Sequence, residues 1–155
     1  MILFIISCSK PNNIKNEMVN IDTSINLIIK SNNGEDLLLT TTQNSLNTDN
    51  IKLFNLLNGQ YIEVNNSNQD YPKNYFIFDY TDSKAIRIFP NDTNTEENPT
   101  TLIKWNNIDT DTIKCHFNRG SGNDGSFVIC DKVWFNGNLI FPNNQSIGRY
   151  LKIVK

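Results

Sequence analysis

The sequence has few of the residues that build catalytic and metal centres. It contains one histidine and three cysteines among 155 residues. The cysteines lack the CxxC spacing and the ordered histidines that accompany zinc ligands. His116 follows Cys115 in a predicted strand, so the two side chains point to opposite faces and cannot form a nucleophile–base pair. We therefore predict no catalytic residue, no zinc site and no cofactor.

An excess of charge of one sign is also missing, as are long apolar runs. Lys and Arg together number 14, and Asp and Glu together number 16. This balance provides no basic stripe for nucleic acid and no acidic tail. The apolar runs are far shorter than the roughly 20 residues that a bilayer-crossing helix needs. We expect no nucleic-acid partner and no transmembrane helix.

Helical periodicity is absent too. No segment keeps an apolar period of 3.6 residues over three turns, whereas short β-forming runs alternate with clusters of Asn, Asp, Gly and Pro. This pattern predicts an all-β fold with little helix, an antiparallel β-sandwich with an immunoglobulin-like arrangement as the first choice. The predicted strands are residues 24–30, 51–57, 61–64, 74–80, 85–89, 101–105, 111–117, 126–135, 139–141 and 149–154.

The opening stretch ends in Ile5-Ile6-Ser7-Cys8. Aliphatic residues and a small residue before a cysteine resemble the bacterial lipobox, in which the cysteine sulfur takes a lipid. The basic residues of a complete secretory signal are missing, and a buried first β-strand is the alternative. On the lipoprotein interpretation, residues 1–7 are a residual signal peptide, and residues 8–23 are the lipidated cysteine with a flexible polar tether. Residues 24–155 are then a single β-sandwich domain.

The other two cysteines lie on facing arms of a predicted hairpin. If its turn is centred at residues 122–123, Cys115 faces Cys130 at a separation that suits a disulfide in an oxidising compartment. The apolar pattern fits this register only with a β-bulge near Asp131. We expect a Cys115–Cys130 disulfide, with two buried free thiols as the alternative.

Two further groups of residues are candidate sites. Glu35 and Asp36 follow a glycine in a loop, where they are weak candidates for a calcium ion; solvated turn carboxylates are the alternative. Aromatic residues in 74–80 occupy both strand phases, so some side chains must lie outside a single-sided core. Trp105 and Trp134 are candidate contacts for a ligand, with core filling as the alternative.

Beyond the lipobox, several strand-and-turn motifs resemble those of small lipoproteins of the Bacteroidetes. The motifs are NNGEDLL, IKLFNLLNG, DYPKNYFIF, TTLIKWNNIDTDTIKC and VICDKVWFNG. The resemblance covers most of residues 24–155. It implies an all-β domain held by lipid at the bacterial cell envelope, with the outer membrane as the first choice, and it implies no particular chemistry.

These observations predict a lipid-anchored, non-enzymatic binding or structural domain. Its membrane contact is the N-terminal lipid, and its partner is a glycan or an envelope protein. One rival is a glycan-acting enzyme, which needs two carboxylates in one cleft. Another is a secreted adhesin or assembly subunit that adds a strand to an open edge at residues 24–30 or 150–155. The carboxylates to inspect are Asp70, Asp79, Asp109 and Asp111.

Overall fold

The computed structural model describes residues 18–92, 96–122, 125–142 and 148–155. This part of the chain is all-β, with a single 3₁₀ turn at Thr48–Asn50. The strands are β1 (Met18–Asp22), β2 (Ile25–Lys30), β3 (Lys52–Leu57), β4 (Gln60–Glu63), β5 (Tyr75–Tyr80), β6 (Ser83–Ile88), β7 (Thr100–Lys104), β8 (Thr110–Gly122), β9 (Gly125–Phe135), β10 (Asn138–Phe141) and β11 (Tyr150–Val154). No helix in the described ranges is long and apolar enough to span a membrane.

The strands form two mixed sheets. In the first sheet the order is β1-β9-β8-β7-β3-β4, with β10 also paired to β9; in the second it is β11-β2-β6-β5. Each sheet contains one parallel pair, β1 with β9 and β11 with β2. The expectation of purely antiparallel sheets is therefore wrong. Both parallel pairs join segments that are distant in sequence, and parallel pairing needs such long connections.

Residues 18–22 were predicted to belong to the flexible tether, but they form β1. Val19 and Ile21 are 58% and 63% exposed, so the apolar alternation of this strand does not come from burial in the core. Its backbone pairs with Gly125–Ile129 of β9 instead. The two strands predicted at the ends of the β domain also pair with each other, since β11 lies beside β2 with Leu151 opposite Leu27. β2 therefore has a neighbour on both sides.

Asn-Gly pairs make two of the tight turns. Asn58 and Gly59 adopt φ of 50° and 79° between β3 and β4, and Asn136 and Gly137 adopt φ of 47° and 81° between β9 and β10. Positive φ at both central residues is the geometry of a type I′ turn, which Asn and Gly adopt at low cost. Both hairpins were predicted from these dipeptides, and both are confirmed.

The predicted disulfide is wrong. The last pair of the β8–β9 hairpin is Gly122 with Gly125. The turn is therefore centred one residue later along the chain than predicted. The register then shifts between His116 and Phe117, which leaves Asp131 as the extra residue of a bulge. The bulge near Asp131 is confirmed. However, the displaced turn and the bulge together place Val133, and not Cys130, opposite Cys115. Cys130 faces Phe117, and both cysteines are buried free thiols.

Both sheets contribute to one hydrophobic core. Side chains on one face of β2 and β6 belong to the same buried cluster as side chains of β3, β7, β8 and β9. Strand β5 adds Tyr75 and Ile77 to this core. The alternate residues of β5, Phe76 and Phe78, must therefore point to the opposite face of the second sheet. The prediction that aromatic side chains lie on both faces is confirmed.

Candidate functional site

The outer face of the second sheet carries an aromatic cluster, which we call the aromatic face. Antiparallel pairing places Phe76 opposite Arg87 and Phe78 opposite Ala85, so these side chains share one side of the sheet. Ala85 is fully buried on this side of the sheet, because the larger side chains around it cover its methyl group. The members of the aromatic face are Tyr71, Phe76, Phe78, Tyr80, Phe89 and Tyr150, with Arg87 among them.

Arg87 lies at the centre of the aromatic face. Its guanidinium carbon is 5.6 Å from the ring centroid of Phe76 and 5.3 Å from that of Phe78, which is the range of cation–π attraction. Its Nε donates a 2.9 Å hydrogen bond to Oδ1 of Asn26, a buried residue of β2. These contacts fix the guanidinium in place, and the planar cation fills the space between the rings.

A short loop before β5 presents Tyr71. The backbone N–H of Asn66 donates to the carbonyl of Pro72 at 2.8 Å, so the loop closes on itself. Lys73 Nζ donates to the carbonyl of Asp49 at 2.8 Å and ties the loop to the 3₁₀ turn. The ring of Tyr71 then stacks on Phe76 with centroids 4.3 Å apart, and its side chain stays 42% exposed. The loop thus places an accessible ring at the end of the aromatic face.

A cavity of about 480 Å³ opens beside Tyr71. Aromatic, amide and carboxylate groups line it together: Asn68, Gln69, Asp70, Tyr71, Asn74, Phe89, Pro90 and Asp92. Asp92 is held from two directions, because Thr23 Oγ1 donates to its Oδ2 at 2.8 Å and Arg119 Nη2 donates to its backbone carbonyl. This mixture of an apolar wall with convergent polar groups is typical of small-molecule sites.

A second cavity, of about 420 Å³, lies near the C-terminal end of β2. Its charged lining consists of Glu35, Asp109 and Lys155, and side-chain amides from the loops surround them. Lys155 Nζ donates to both carboxylate oxygens of Asp109 at 2.8 Å. The same ammonium lies 2.6 Å from Oδ2 of the buried Asp111. Lys155, which lines this cavity, therefore pairs with two carboxylates, of which Asp109 also lines the cavity.

Asp111 is fixed by three donors. Trp105 Nε1 and Asn136 Nδ2 each donate to it at 2.6 Å, and Lys155 adds its ammonium. Burial raises the pKa of Asp111, but these hydrogen bonds and the charge of Lys155 outweigh burial, so its pKa lies below the ordinary value. A general acid of a glycan hydrolase needs the opposite shift. Asp111 therefore has the environment of a structural carboxylate.

The proposed calcium residues do not converge. Asp36 is buried and accepts backbone hydrogen bonds from Leu38 at 2.9 Å and Lys84 at 2.6 Å. Glu35 lies in the exposed turn, where Ser31 Oγ is 3.5 Å from its carboxylate. Within the described ranges, no three His, Cys, Asp or Glu side chains are close enough to hold a metal ion. The weak expectation of a metal at Glu35 and Asp36 is not supported.

The two tryptophans have different environments. Trp105 is fully buried in the core, which rules out the predicted ligand contact. Trp134 is half-buried on the outer side of the first sheet, with Lys114 Nζ 5.2 Å from its ring centroid. Cys115 and His116 point to opposite faces as predicted, and His116 Nδ1 lies 2.5 Å from Oδ1 of Asp131 at the bulge.

The buried cysteines form a thiol pair without a covalent bond. A hydrogen bond with Cys130 and burial raise the pKa of the Cys115 thiol well above its usual range. The thiol of Cys130 also lies 3.6 Å from the carbonyl of Lys132. Because the thiolate is the reactive form, this environment makes Cys115 unreactive. Cys8 lies outside the described residues, so its predicted lipidation is a question for experiment.

Tyr71, Arg87 and Phe89 were not predicted as site residues. The alternation of Phe76, Phe78 and Tyr80 along one strand phase was an available indication of an aromatic outer face. No family model, curated protein or solved structure matches the chain. Function must therefore be argued from the geometry of these residues.

Proposed function

We propose that this chain is a lipid-anchored protein of the bacterial cell envelope whose β domain binds a glycan without chemically changing it. The observation that carries the binding proposal is the exposed ring of Tyr71 beside a cavity rich in amides and carboxylates. The anchoring proposal is carried by Ile5-Ile6-Ser7-Cys8. The two parts have separate tests.

The lining of the Tyr71 cavity suits a sugar. A sugar ring has an apolar C–H face, which packs on an aromatic ring, and a rim of hydroxyls, which pair with amides and carboxylates. Tyr71 and Phe89 provide the aromatic surface, with centroids 5.8 Å apart. Asn68, Gln69 and Asp70 provide polar groups from one loop. Asp92 provides a further carboxylate from the segment after β6.

The binding proposal is tested by electrophoresis in native gels that contain a soluble glucan, mannan, chitosan or polygalacturonate. We expect at least one polymer to retard the wild-type protein and the Tyr71→Ala variant to migrate without retardation. Tyr61→Ala is the matched control, because Tyr61 is 46% exposed but lies on β4 of the other sheet. The proposal is wrong if no polymer retards the wild type or if Tyr71→Ala binds as the wild type does.

The anchoring proposal is tested by metabolic labelling with a clickable fatty acid. The gene is expressed in a bacterial host with a complete signal sequence placed before Ile5. We expect label on the wild-type chain and none on Cys8→Ser, because acylation needs the sulfur of that cysteine. Cys130→Ser, which removes a buried thiol, controls for nonspecific labelling. Equal labelling of wild type and Cys8→Ser would refute a lipid at Cys8.

We also propose that the two sheets stack as a β-sandwich of immunoglobulin-like type. Support comes from the single core cluster, to which residues on one face of each sheet contribute. Sheets in such sandwiches lie about 10 Å apart, with mean strand directions within about 30°. An experimental structure tests this architecture, and orthogonal sheets would contradict it.

A carboxylate-dependent glycan-acting enzyme is the second candidate. The observation in its favour is that Asp70 and Asp92 line one partly apolar cavity, since two acids in one cleft are what glycoside hydrolysis requires. Incubation with the same four polymers and assay of new reducing ends separates the candidates. The binding proposal predicts that no new reducing ends appear above the buffer control. Release that disappears in both Asp70→Asn and Asp92→Asn would establish the enzyme instead.

A further inference from the structure

The aromatic face extends well past the cavity at Tyr71. Same-face residues on a strand are spaced by about 7 Å, so the line from Phe76 through Phe78 to Tyr80 covers about 13 Å. At the far end, Tyr80 stacks on Tyr150 of β11 with centroids 4.2 Å apart. Rings therefore continue along β5 for a distance greater than one sugar unit.

The middle of the aromatic face also offers hydrogen-bond donors. Arg87 uses its Nε for Asn26, and within the described ranges its two terminal amino groups have no hydrogen-bond partner. Its side chain is half-buried between Phe76 and Phe78. A guanidinium in this setting can donate to hydroxyl or ring oxygens of a sugar that lies on the rings.

We propose that the ligand is a linear polysaccharide whose chain lies along β5, from the Tyr71 cavity across Arg87 to the Tyr80–Tyr150 pair. This inference rests on the proposed glycan binding and adds that several consecutive sugar units are bound at once. A monosaccharide would occupy only the cavity, whereas the outward rings of β5 continue the aromatic surface over about 13 Å, which only a longer chain can cover. A globular protein partner would not need the cavity at the Tyr71 end of the aromatic face.

The test is calorimetric titration of the full domain with size-graded oligosaccharides, from monosaccharide to hexasaccharide, made from the same four polymers. For the polymer that binds, we expect the affinity of the wild type to increase by about tenfold or more with chain length, because each added stacking contact contributes. Tyr80→Ala should reduce hexasaccharide affinity by about tenfold and leave the shortest sugar that binds unaffected. Tyr71→Ala should weaken both.

The outcomes separate the two proposals. If short sugars bind and affinity does not increase with chain length, the proposal of a polysaccharide lying along β5 is wrong and the proposal of glycan binding stands. If no sugar of any length binds, both proposals are wrong. Thermal unfolding of each variant checks its fold, and the length series of the wild type decides the question even if Tyr80→Ala unfolds. Tyr61→Ala again serves as the control, because it should show the full length dependence.

Discussion

The indole Nε1 of Trp105 donates a hydrogen bond of 2.6 Å to Oδ2 of Asp111 inside the protein. Both residues are buried, and Lys155 lies over the indole with its Nζ 5.3 Å from the ring centroid. The carboxylate thus joins the core, the β8 strand and the end of β11. A buried charge is tolerated only with such partners, because desolvation without them would cost several kcal/mol.

Replacing this carboxylate should destabilise the fold. We expect Asp111→Asn to lower the free energy of unfolding by about 2–4 kcal/mol, because Trp105 loses its charged acceptor and Lys155 loses one of its two carboxylate partners. Urea denaturation followed by fluorescence measures the change. The control is Asp79→Asn, whose carboxylate is 86% exposed in its pair with Lys84 and should contribute less than about 1 kcal/mol. Equal effects of the two substitutions would contradict the prediction.

The low pKa of Asp111 also predicts a pH dependence. Because the folded pKa lies below the unfolded value of about 3.9, protons bind more tightly to this group in the unfolded chain. Its stabilisation is complete above the unfolded pKa and is lost as the pH falls through the folded pKa. We expect the unfolding free energy of the wild type to rise between about pH 3 and pH 5, and to rise less in Asp111→Asn. Parallel curves would refute this.

Gly120 and Gly122 provide a matched pair on β8. A Cβ added at Gly120 would lie 2.6 Å from the ring of Phe127, whereas one at Gly122 would meet nothing within 4 Å. We expect Gly120→Ala to displace that ring and cost about 1 kcal/mol, with Gly122→Ala nearly neutral. Thermal unfolding of both variants measures the difference. Combining Gly120→Ala with Phe127→Ala should remove the clash, so non-additive costs are the decisive result.

The buried thiols should resist alkylation. Cys115 and Cys130 are 0% and 1% exposed, and thiol chemistry requires access as well as the thiolate. We expect iodoacetamide at pH 8 to leave both residues unmodified in the folded domain and to modify both in guanidinium chloride, as read by mass spectrometry of digests. A Cys115–Cys130 linked peptide in a non-reduced digest would show that the free-thiol arrangement is wrong.

Arg149 should hold β1 in place. Its Nε donates to the carbonyl of Ser24 at 2.8 Å, its Nη1 donates to the carbonyl of Cys130 at 3.1 Å, and its Nη2 pairs with Asp22. Lysine cannot reproduce this fork of donors. We expect Arg149→Lys to lower the unfolding free energy by about 1–3 kcal/mol and to speed amide exchange in β1. Unchanged exchange at Asn20 and Ile21 would contradict this role.

Local sequence patterns predicted most strands because turn chemistry and alternation act over a few residues. Asn58-Gly59 defined a hairpin for this reason. The same rules failed for β1, since the side chains of Val19 and Ile21 are exposed and the partner strand β9 lies about a hundred residues later. The disulfide prediction failed because the turn is centred one residue later than predicted and the bulge adds one more residue. Together these two differences change which residue faces Cys115.

The candidate site was predicted only in fragments. The sequence drew attention to the aromatic residues of 74–80 and to Asp70, but not to their assembly. Tyr71 comes from a loop, Arg87 from β6 and Tyr150 from β11, and only pairing between strands brings these segments onto one face. Such contacts depend on register over the whole sheet, which no local window of sequence contains.

The parallel pairing of β1 with β9 has a mechanical consequence. Met18 lies beside Gly125 and Asp22 beside Ile129, so a pull on Met18 along the strand axis acts parallel to both strands. Under that geometry the backbone hydrogen bonds between the two strands bear the load together in shear, instead of opening one after another as in a peeled hairpin. If the chain is tethered through Cys8 while the aromatic face holds a polymer, this five-residue strand is the mechanical link between them.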